Sequence, residues 1–152
     1  MEILYPPTPF PAPLGRPSVF LAGSIAQGQA EEWQSALIGQ LHHWPGIVLN
    51  PRRPNWNADW VQRIDHPDFR AQVEWELEGL EKADLIVMYL DPSTQSPISL
   101  LELGLMAHSQ KMWVACPEGF WRKGNVDIVC HRYQIRQVAH WQDFISPILA
   151  IS

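Results

Sequence analysis

The sequence predicts a single α/β domain, doubly wound around a central, mostly parallel sheet of five strands. Short apolar runs alternate with helical periods about five times along the chain, and the runs are apolar on both faces. Strands that are buried on both faces are typical of parallel sheets covered by helices on each side. The chain has 152 residues, 46% hydrophobic and 18% charged, so it can enclose one sizeable core but not two.

Five short apolar segments are predicted as strands. They are residues 18–22, 47–49, 85–89, 112–115 and 135–138. The third segment is the clearest, because it is continuous and is followed by Asp91 and Pro92, which end a strand. In a parallel sheet, ligands bind beyond the carboxyl ends of the strands, so the loops after these segments are the candidate site loops.

Helical periods separate the strands. The predicted helices cover residues 30–42, 67–82, 97–109, 126–130 and 141–149. In the first helix, Trp33, Leu37 and Leu41 recur at four-residue spacing and form one apolar face. Asp65 and Asp68 lie near the start of the second helix, where we expect them to cap it.

The first seventeen residues differ from the rest of the chain, because prolines are concentrated there. This composition predicts an extended arm, laid over the surface or into a partner, rather than a strand or a helix. The expected organisation is an arm at 1–17 and an α/β domain at 18–152. We find neither a secretory signal nor the ~18 consecutive apolar residues of a membrane span, so we expect a soluble, cytoplasmic protein with no membrane partner.

Charge and residue types exclude several classes of function. The net charge of −5 argues against a nucleic-acid polymer as partner, because phosphate binding requires concentrated positive charge. The two cysteines and six histidines have no metal-ligand spacing, and no Ser-His-Asp set is recognisable. The loop after the first strand lacks both the lysine of a P-loop and the three-glycine spacing of a dinucleotide fingerprint.

Glu102 is the first candidate for chemistry. It lies in the helix predicted after the third strand, which Ser96 suits as N-cap and Pro97 as first residue. Glu102 then falls in the second turn among leucines, where a carboxylate needs a reason other than capping. The alternative is a capping box with Ser99, which requires the helix to begin at Ser99.

Glu76 is the second candidate. Gln72, Glu76 and Gly79 lie along one stripe of the predicted helix, so Glu76 and Gln72 can lean towards the strand ends. Glu74 and Glu78 fall on other faces, where we expect them to be solvated.

The loops supply further candidates. Gly23 and Ser24 follow the first strand, where a tight turn and a ligand contact are both possible. Arg52 lies beside a proline in the loop after the second strand, where it can grip a substrate or pair with a carboxylate.

Six short motifs occur in a specific order between residues 18 and 133. They are FLAGSI at 20–25, NPRR at 50–53 with Trp56, QVEWE at 72–76, ADLI at 83–86, SPISLLELG at 96–104 and GNVDIVC at 124–130. Together they resemble the nucleoside 2-deoxyribosyltransferases, most closely a branch of short bacterial and phage-type sequences. The proline-rich arm lies outside the resemblance.

The resemblance implies a flavodoxin-like domain that transfers 2-deoxyribose between purine and pyrimidine bases by a ping-pong route. It places the family's nucleophilic glutamate at Glu102 and its carboxylate near the base at Glu76. It also implies that Asn125 is donated by a neighbouring subunit, and therefore a homo-oligomer with shared sites. The implied partners are deoxynucleosides and free nucleobases, with no metal or organic cofactor. The residues expected to contact substrate are Phe20, Gly23, Ser24, Asn50, Arg52, Trp56, Gln72, Ser96 and Asn125.

The implied chemistry agrees with the residue types. Breaking a nucleoside C1′–N bond builds positive charge on the sugar, which an ionised Glu102 can stabilise and bond covalently. We expect the helix dipole to keep Glu102 anionic by ~0.3–1 kcal/mol and Glu76 to protonate the departing base. Trp56 and Phe20 can offer flat surfaces to base or sugar. Ser96 stands six residues before the nucleophile, where better-known members have an aspartate, so the base contact must be made differently.

Two other functions fit the same residues. A nucleoside or nucleotide N-glycosidase would use the same Glu102, with water in place of the second base. A non-catalytic nucleotide-binding sensor would keep the pocket without turnover.

Overall fold

The computed structural model describes residues 1–25, 32–54 and 57–151. Its strands form one sheet in the order β1-β3-β2-β4-β5-β6, with every neighbouring pair parallel. They are β1 (Glu2–Leu4), β2 (Ser18–Gly23), β3 (Ile47–Leu49), β4 (Leu85–Tyr89), β5 (Met112–Ala115) and β6 (Arg136–Val138). The predicted α/β fold with a parallel sheet is confirmed, with six strands in place of five.

The additional strand, β1, comes from the proline-rich arm, where we expected no strand. Glu2 pairs with Ile47 of β3, and the carbonyl of Leu4 accepts a hydrogen bond from the Asn50 amide at 3.0 Å. The prolines of the arm begin only at Pro6, so residues 2–4 keep the amide groups that a strand needs. Residues 2–4 also lie in a proline-rich segment, and their pattern alone does not indicate a strand.

Within the described residues, five α-helices and a 3-10 helix connect and cover the strands. They are α1 (Trp33–Gln40), α2 (Pro67–Lys82), α3 (Pro97–Met106), α4 (Lys123–Tyr133), the 3-10 helix (Trp141–Phe144) and α5 (Ile145–Ala150). Helix α2 begins where we expected, but its N-cap is His66, whose Nδ1 accepts from the Phe69 amide at 3.2 Å. Asp65 instead pairs with Arg63 at 3.0 Å, so the expectation that Asp65 and Asp68 cap this helix is wrong.

The helices form two layers, one on each face of the sheet. Helices α2, α3 and α4, here called the α2–α4 layer, pack on one face through buried residues such as Trp75, Leu103 and Val126. Helix α1, the 3-10 helix and α5, here called the α1–α5 layer, pack on the other face through residues such as Trp33 and Phe144. No helix of the described segments is long and apolar enough to cross a bilayer.

The strand order places the site. Without β1 it reads β3-β2-β4-β5-β6, the flavodoxin-like arrangement, in which the direction of winding reverses between β2 and β4. The carboxyl ends of these two strands meet closely: a Cβ on Gly23, whose φ is +122°, would lie 2.1 Å from the carbonyl oxygen of Tyr89. The next amide, that of Ser24, donates to the same oxygen at 2.9 Å. Ligands of such folds bind beyond this edge of the sheet.

Candidate active site

Helix α3 brings Glu102 to this edge. The helix begins at Pro97 with Ser96 in the N-cap position, so Glu102 lies in the second turn and the alternative capping box with Ser99 is excluded. The Ser96 hydroxyl does not cap the helix, and its backbone is left-handed, with φ 47°. Glu102 is only 8% exposed. Within the described segments its carboxylate has no hydrogen-bond or ion-pair partner.

Helix α2 supplies the second carboxyl group. Gln72 Nε2 donates to Glu76 Oε1 at 2.7 Å and to the carbonyl of Pro51 at 3.1 Å, which links the helix to the loop after β3. Gln72 is buried and Glu76 is half-buried, as the predicted stripe requires. Glu74 and Glu78 are exposed and pair with basic residues four positions away, also as expected.

Burial affects both carboxyl groups. Burial and, as the smaller cause, the nearby charge of Glu76 together raise the pKa of Glu102 to about 8. Burial also raises the pKa of Glu76, against the opposing effect of the hydrogen bond from Gln72. The expectation that the helix dipole keeps Glu102 anionic is therefore wrong for the free protein, because the cost of desolvation outweighs the dipole. Near neutral pH Glu102 is therefore the carboxyl group that holds a proton in the free protein.

A group of hydroxyls joins the ends of β2 and β4. Ser24 Oγ lies 2.6 Å from Ser96 Oγ and 2.9 Å from Thr94 Oγ1, and the two latter oxygens are 2.7 Å apart. The Asp91 amide donates to Ser24 Oγ at 2.8 Å. This group fixes the loop that precedes α3 against the Gly23–Ser24 turn. Thr94 was not among the predicted residues, since a lone threonine in a loop gives no sequence signal.

The loop after β3, which is hydrogen-bonded to α2, forms another border of the site. Asn50 is buried, and its Oδ1 accepts from the Arg52 amide at 3.0 Å. Arg52 pairs with Glu32 at 2.9 Å through Nη2, whereas its Nη1 is buried and has no hydrogen-bond partner in the part of the chain described. Trp56, expected to contact the base, lies outside the described residues.

Two predicted contact residues lie elsewhere. Phe20 is fully buried in the core, with its ring 6.3 Å from that of Trp75. It supports α2 from below and has no face free for a ligand, which corrects the expectation that it stacks on base or sugar. Asn125 lies in the first turn of α4 and is exposed, so it is accessible to another subunit.

The site is thus a carboxyl pair and a set of amide and hydroxyl groups, gathered where β2, β3 and β4 end. Across the described ranges, no three or more His, Cys, Asp or Glu side chains are grouped so that they could hold a metal ion. Two carboxyls with raised pKa values in a partly dry site are suited to nucleophilic and acid–base chemistry on one substrate.

This arrangement corresponds to a known family. A model of the family described as "Nucleoside 2-deoxyribosyltransferase like" matches residues 16–120, a segment that includes both Glu76 and Glu102. The chain belongs to the nucleoside 2-deoxyribosyltransferase-like family. The resemblance inferred from the motifs is confirmed at this level, and the family, most of whose members are enzymes, implies nucleoside-related ligands.

A comparison of structures supports the fold of this family member. A crystal structure described as that of a conserved protein from Enterococcus faecalis V583 superposes with a TM-score of 0.60 at 15% sequence identity. The superposition covers 88% of this chain and 98% of that chain. A likeness at this identity shows the fold alone. No curated protein matches the chain.

Proposed function

We propose that this chain is a nucleoside 2-deoxyribosyltransferase, which moves 2-deoxyribose between nucleobases through a covalent bond to Glu102. The observation that carries the proposal is the unpartnered, buried Glu102 carboxyl, whose pKa burial and Glu76 raise to about 8, inside the segment that matches the family. An acidic side chain held in this way has no structural role within the described chain.

In the first half-reaction, the sugar of a deoxynucleoside lies with C1′ over Glu102. An ionised Glu102 oxygen attacks C1′ as the C1′–N bond breaks, and the bonding electrons leave with the base. Glu76 carries the proton of the pair at this moment and gives it to the departing base nitrogen. The positive charge that develops on the sugar favours the ionised form of Glu102, so substrate would move the proton from Glu102 to Glu76.

In the second half-reaction, a different base occupies the vacated place. Its nitrogen attacks C1′ of the deoxyribosyl ester, Glu102 leaves as carboxylate, and the proton of the base returns to Glu76. Two inversions at C1′ retain the configuration. If water attacks in place of the base, the same intermediate gives free deoxyribose.

Other residues would hold the substrate. Gln72 would orient Glu76 through its 2.7 Å hydrogen bond. The unpartnered Arg52 Nη1, with Asn50 and Trp56, would bind the base from the loop after β3. The hydroxyl-bearing residues Ser24 and Ser96 would lie beside the sugar. Gly23 would contribute by forming the turn that positions Ser24.

A second copy of the chain would complete the site. The outer face of α3 exposes Ile98, Leu101 and Leu105, each 57–60% accessible. This spacing places them on one side of the helix that carries Glu102, and an exposed apolar patch of this kind is typical of an interface. Asn125, exposed on the neighbouring α4, would then reach the site of the other subunit.

One assay tests the reaction. The protein is incubated with a deoxynucleoside and a different free base, and the products are separated by chromatography. A new deoxynucleoside supports transfer, whereas free deoxyribose without exchange indicates hydrolysis, and no change in any product indicates a binding protein. Glu102→Ala should abolish activity in a folded protein, and intact-protein mass spectrometry of the wild type should detect one deoxyribosyl group attached. Near-normal turnover by the Glu102→Ala variant contradicts the mechanism.

A mixing experiment tests the shared site. Asn125→Ala and Glu102→Ala chains are each expected to have low activity alone. Mixed oligomers should regain part of it, because some sites then combine an intact Glu102 with an intact Asn125 of the neighbour. Confirmed mixed oligomers that remain inactive argue against a site shared in this way.

A further inference from the structure

The proline-rich arm packs against α2 beside the carboxyl pair, although the family match begins only at residue 16. Trp75 Nε1 donates to the carbonyl of Thr8 at 2.8 Å. The ring of Phe10 stacks on the Trp75 indole, with the ring centroids 4.8 Å apart and the planes at 29°. Trp75 is buried and is the residue immediately before Glu76. The arm therefore covers the side chain next to one of the two carboxyl groups.

The contact at Gly79 shows how closely the arm and the helix approach. A Cβ built on Gly79 would lie 2.8 Å from the ring of Phe20 in β2 and 3.3 Å from the ring of Phe10. Strand β2 and the arm therefore both pack against the same face of α2, through Phe20 and Phe10. Gly79 shares a helix stripe with Gln72 and Glu76, so the Phe10 ring packs against the face of α2 that carries these side chains.

The arm also supports the hydrogen-bond donor of Glu76. The carbonyl of Leu4, at the end of β1, accepts from the Asn50 amide at 3.0 Å. The next residue, Pro51, accepts from Gln72 Nε2 at 3.1 Å, and Gln72 donates to Glu76 at 2.7 Å. One segment therefore touches both the helix that carries Glu76 and the loop that orients Gln72.

We infer that Phe10 is a positioning residue of the transfer reaction, which holds α2 at the depth where Glu76 acts together with Glu102. This inference rests on the proposed function and assigns the arm a part in it. Thr8 and Phe10 carry no charge, so the arm acts by packing, while burial and the hydrogen bond from Gln72 remain the causes that shift the pKa of Glu76. Without the ring, α2 loses one of its two supports and water gains access to the carboxyl pair.

The experiment compares Phe10→Ala with Tyr133→Ala in the full chain. Tyr133 is also a half-buried aromatic residue with one close ring neighbour, His108 at 4.6 Å, but it lies on α4. Two quantities are measured: the titration of Glu76, followed by carboxyl ¹³C NMR, and the separate values of kcat and KM. Phe10→Tyr keeps the stack and serves as the rescue variant.

For Phe10→Ala, we expect the raised pKa of Glu76 to fall towards that of an ordinary glutamate, because hydration stabilises its ionised form. We expect kcat to fall on the order of tenfold as Glu76 is misplaced, with a smaller change in KM. Phe10→Tyr and Tyr133→Ala should leave both quantities close to those of the wild type.

An unchanged Glu76 titration in folded Phe10→Ala protein overturns the inference, as does an equal change in Tyr133→Ala. If Phe10→Ala does not fold, Phe10→Leu is judged by the same measurements. The titration needs no turnover, so an inactive wild type contradicts the proposed function while the NMR result still decides whether the arm positions Glu76.

Discussion

The two helical layers differ in what they bury and what they expose. The α1–α5 layer meets the sheet with fully buried apolar side chains, among them Trp33 and Phe144. The α2–α4 layer buries Glu102 at its centre and exposes the apolar side chains of α3, such as Leu101. Both features oppose the stability of an isolated domain. The α1–α5 layer therefore contributes mainly to the core. The α2–α4 layer contains the buried carboxyl group and the exposed apolar side chains that the proposed catalysis and self-association require.

Each layer nevertheless contains a buried polar side chain without a partner. In the α1–α5 layer, Gln34 is fully buried, and neither its Nε2 nor its Oε1 has a hydrogen-bond partner among the described residues. Glu102 differs from Gln34 because it is titratable and a second carboxyl group, that of Glu76, helps to raise its pKa. The comparison shows that burial of a polar group is not enough to indicate a site. A second titratable group nearby, at the carboxyl edge of the sheet, is the more informative signal.

The strongest test of this difference concerns the two faces of α2. Glu76→Gln should lower kcat/KM by roughly 10²–10⁴-fold, because the departing base loses its proton donor. Glu74→Gln, an equal change on the exposed face of the same helix, should leave it near the wild-type value. Steady-state kinetics of both variants decide the matter, and a loss of only a few-fold for Glu76→Gln removes this residue from the mechanism.

The pH dependence of stability tests the buried charge. The folded protein holds a proton on Glu102 up to about pH 8, whereas the unfolded chain releases it near pH 4.5, so folding weakens as pH rises between these values. Glu102→Gln removes this loss. We expect the variant to match the wild type near pH 4.5 and to be roughly 5 kcal/mol more stable at pH 9. Urea unfolding at several pH values measures the difference, and a gap that does not grow with pH contradicts the assigned cause.

The exposed face of α3 can be compared with that of α5. Leu101→Lys should weaken self-association by roughly 100-fold, since a buried interface position would receive a charge. Leu149→Lys places the same charge at an exposed leucine of the α1–α5 layer and should have no effect. Sedimentation velocity at a series of concentrations distinguishes the two. Equal behaviour of both variants would show that the α3 face is not the interface.

The smallest expected effect concerns Gln34. Gln34→Leu replaces an unpartnered amide by an apolar group of similar shape, which should raise the free energy of unfolding by roughly 1 kcal/mol at every pH. Turnover should not change. A loss of turnover in a more stable protein would mean that the α1–α5 layer also takes part in the site. It would contradict the assignment of the site to the α2–α4 layer.

Much of the fold could be predicted from the sequence, because strands such as residues 85–89 are continuous apolar segments followed by residues that end a strand. The start of α3 could also be predicted, since Pro97 fixes the first helical position. Strand β1 could not, because its three residues take their strand form from pairing with β3. The cap of α2 could not either: His66 accepts the hydrogen bond that Asp65, engaged with Arg63, does not.

The carboxyl pair could be predicted from helix periodicity and the family motifs, but its charge state could not. The pKa of Glu102 depends on how much water reaches it and on the distance of Glu76, and both are set by packing between separate helices. The same limit applies to Phe20, which a motif places near the site but which packing places beneath it. The hydroxyl group around Ser24 also depends on a contact between distant loops.

The close approach at Gly23 has a practical consequence for engineering. Main-chain atoms alone determine how closely the ends of β2 and β4 approach, because the carbonyl of Tyr89 occupies the space that a side chain at Gly23 would take. A mutant library intended to broaden the range of accepted ligands should therefore keep this glycine constant. Diversity is better introduced in the loop before α3, for example at Thr94, whose backbone is not left-handed.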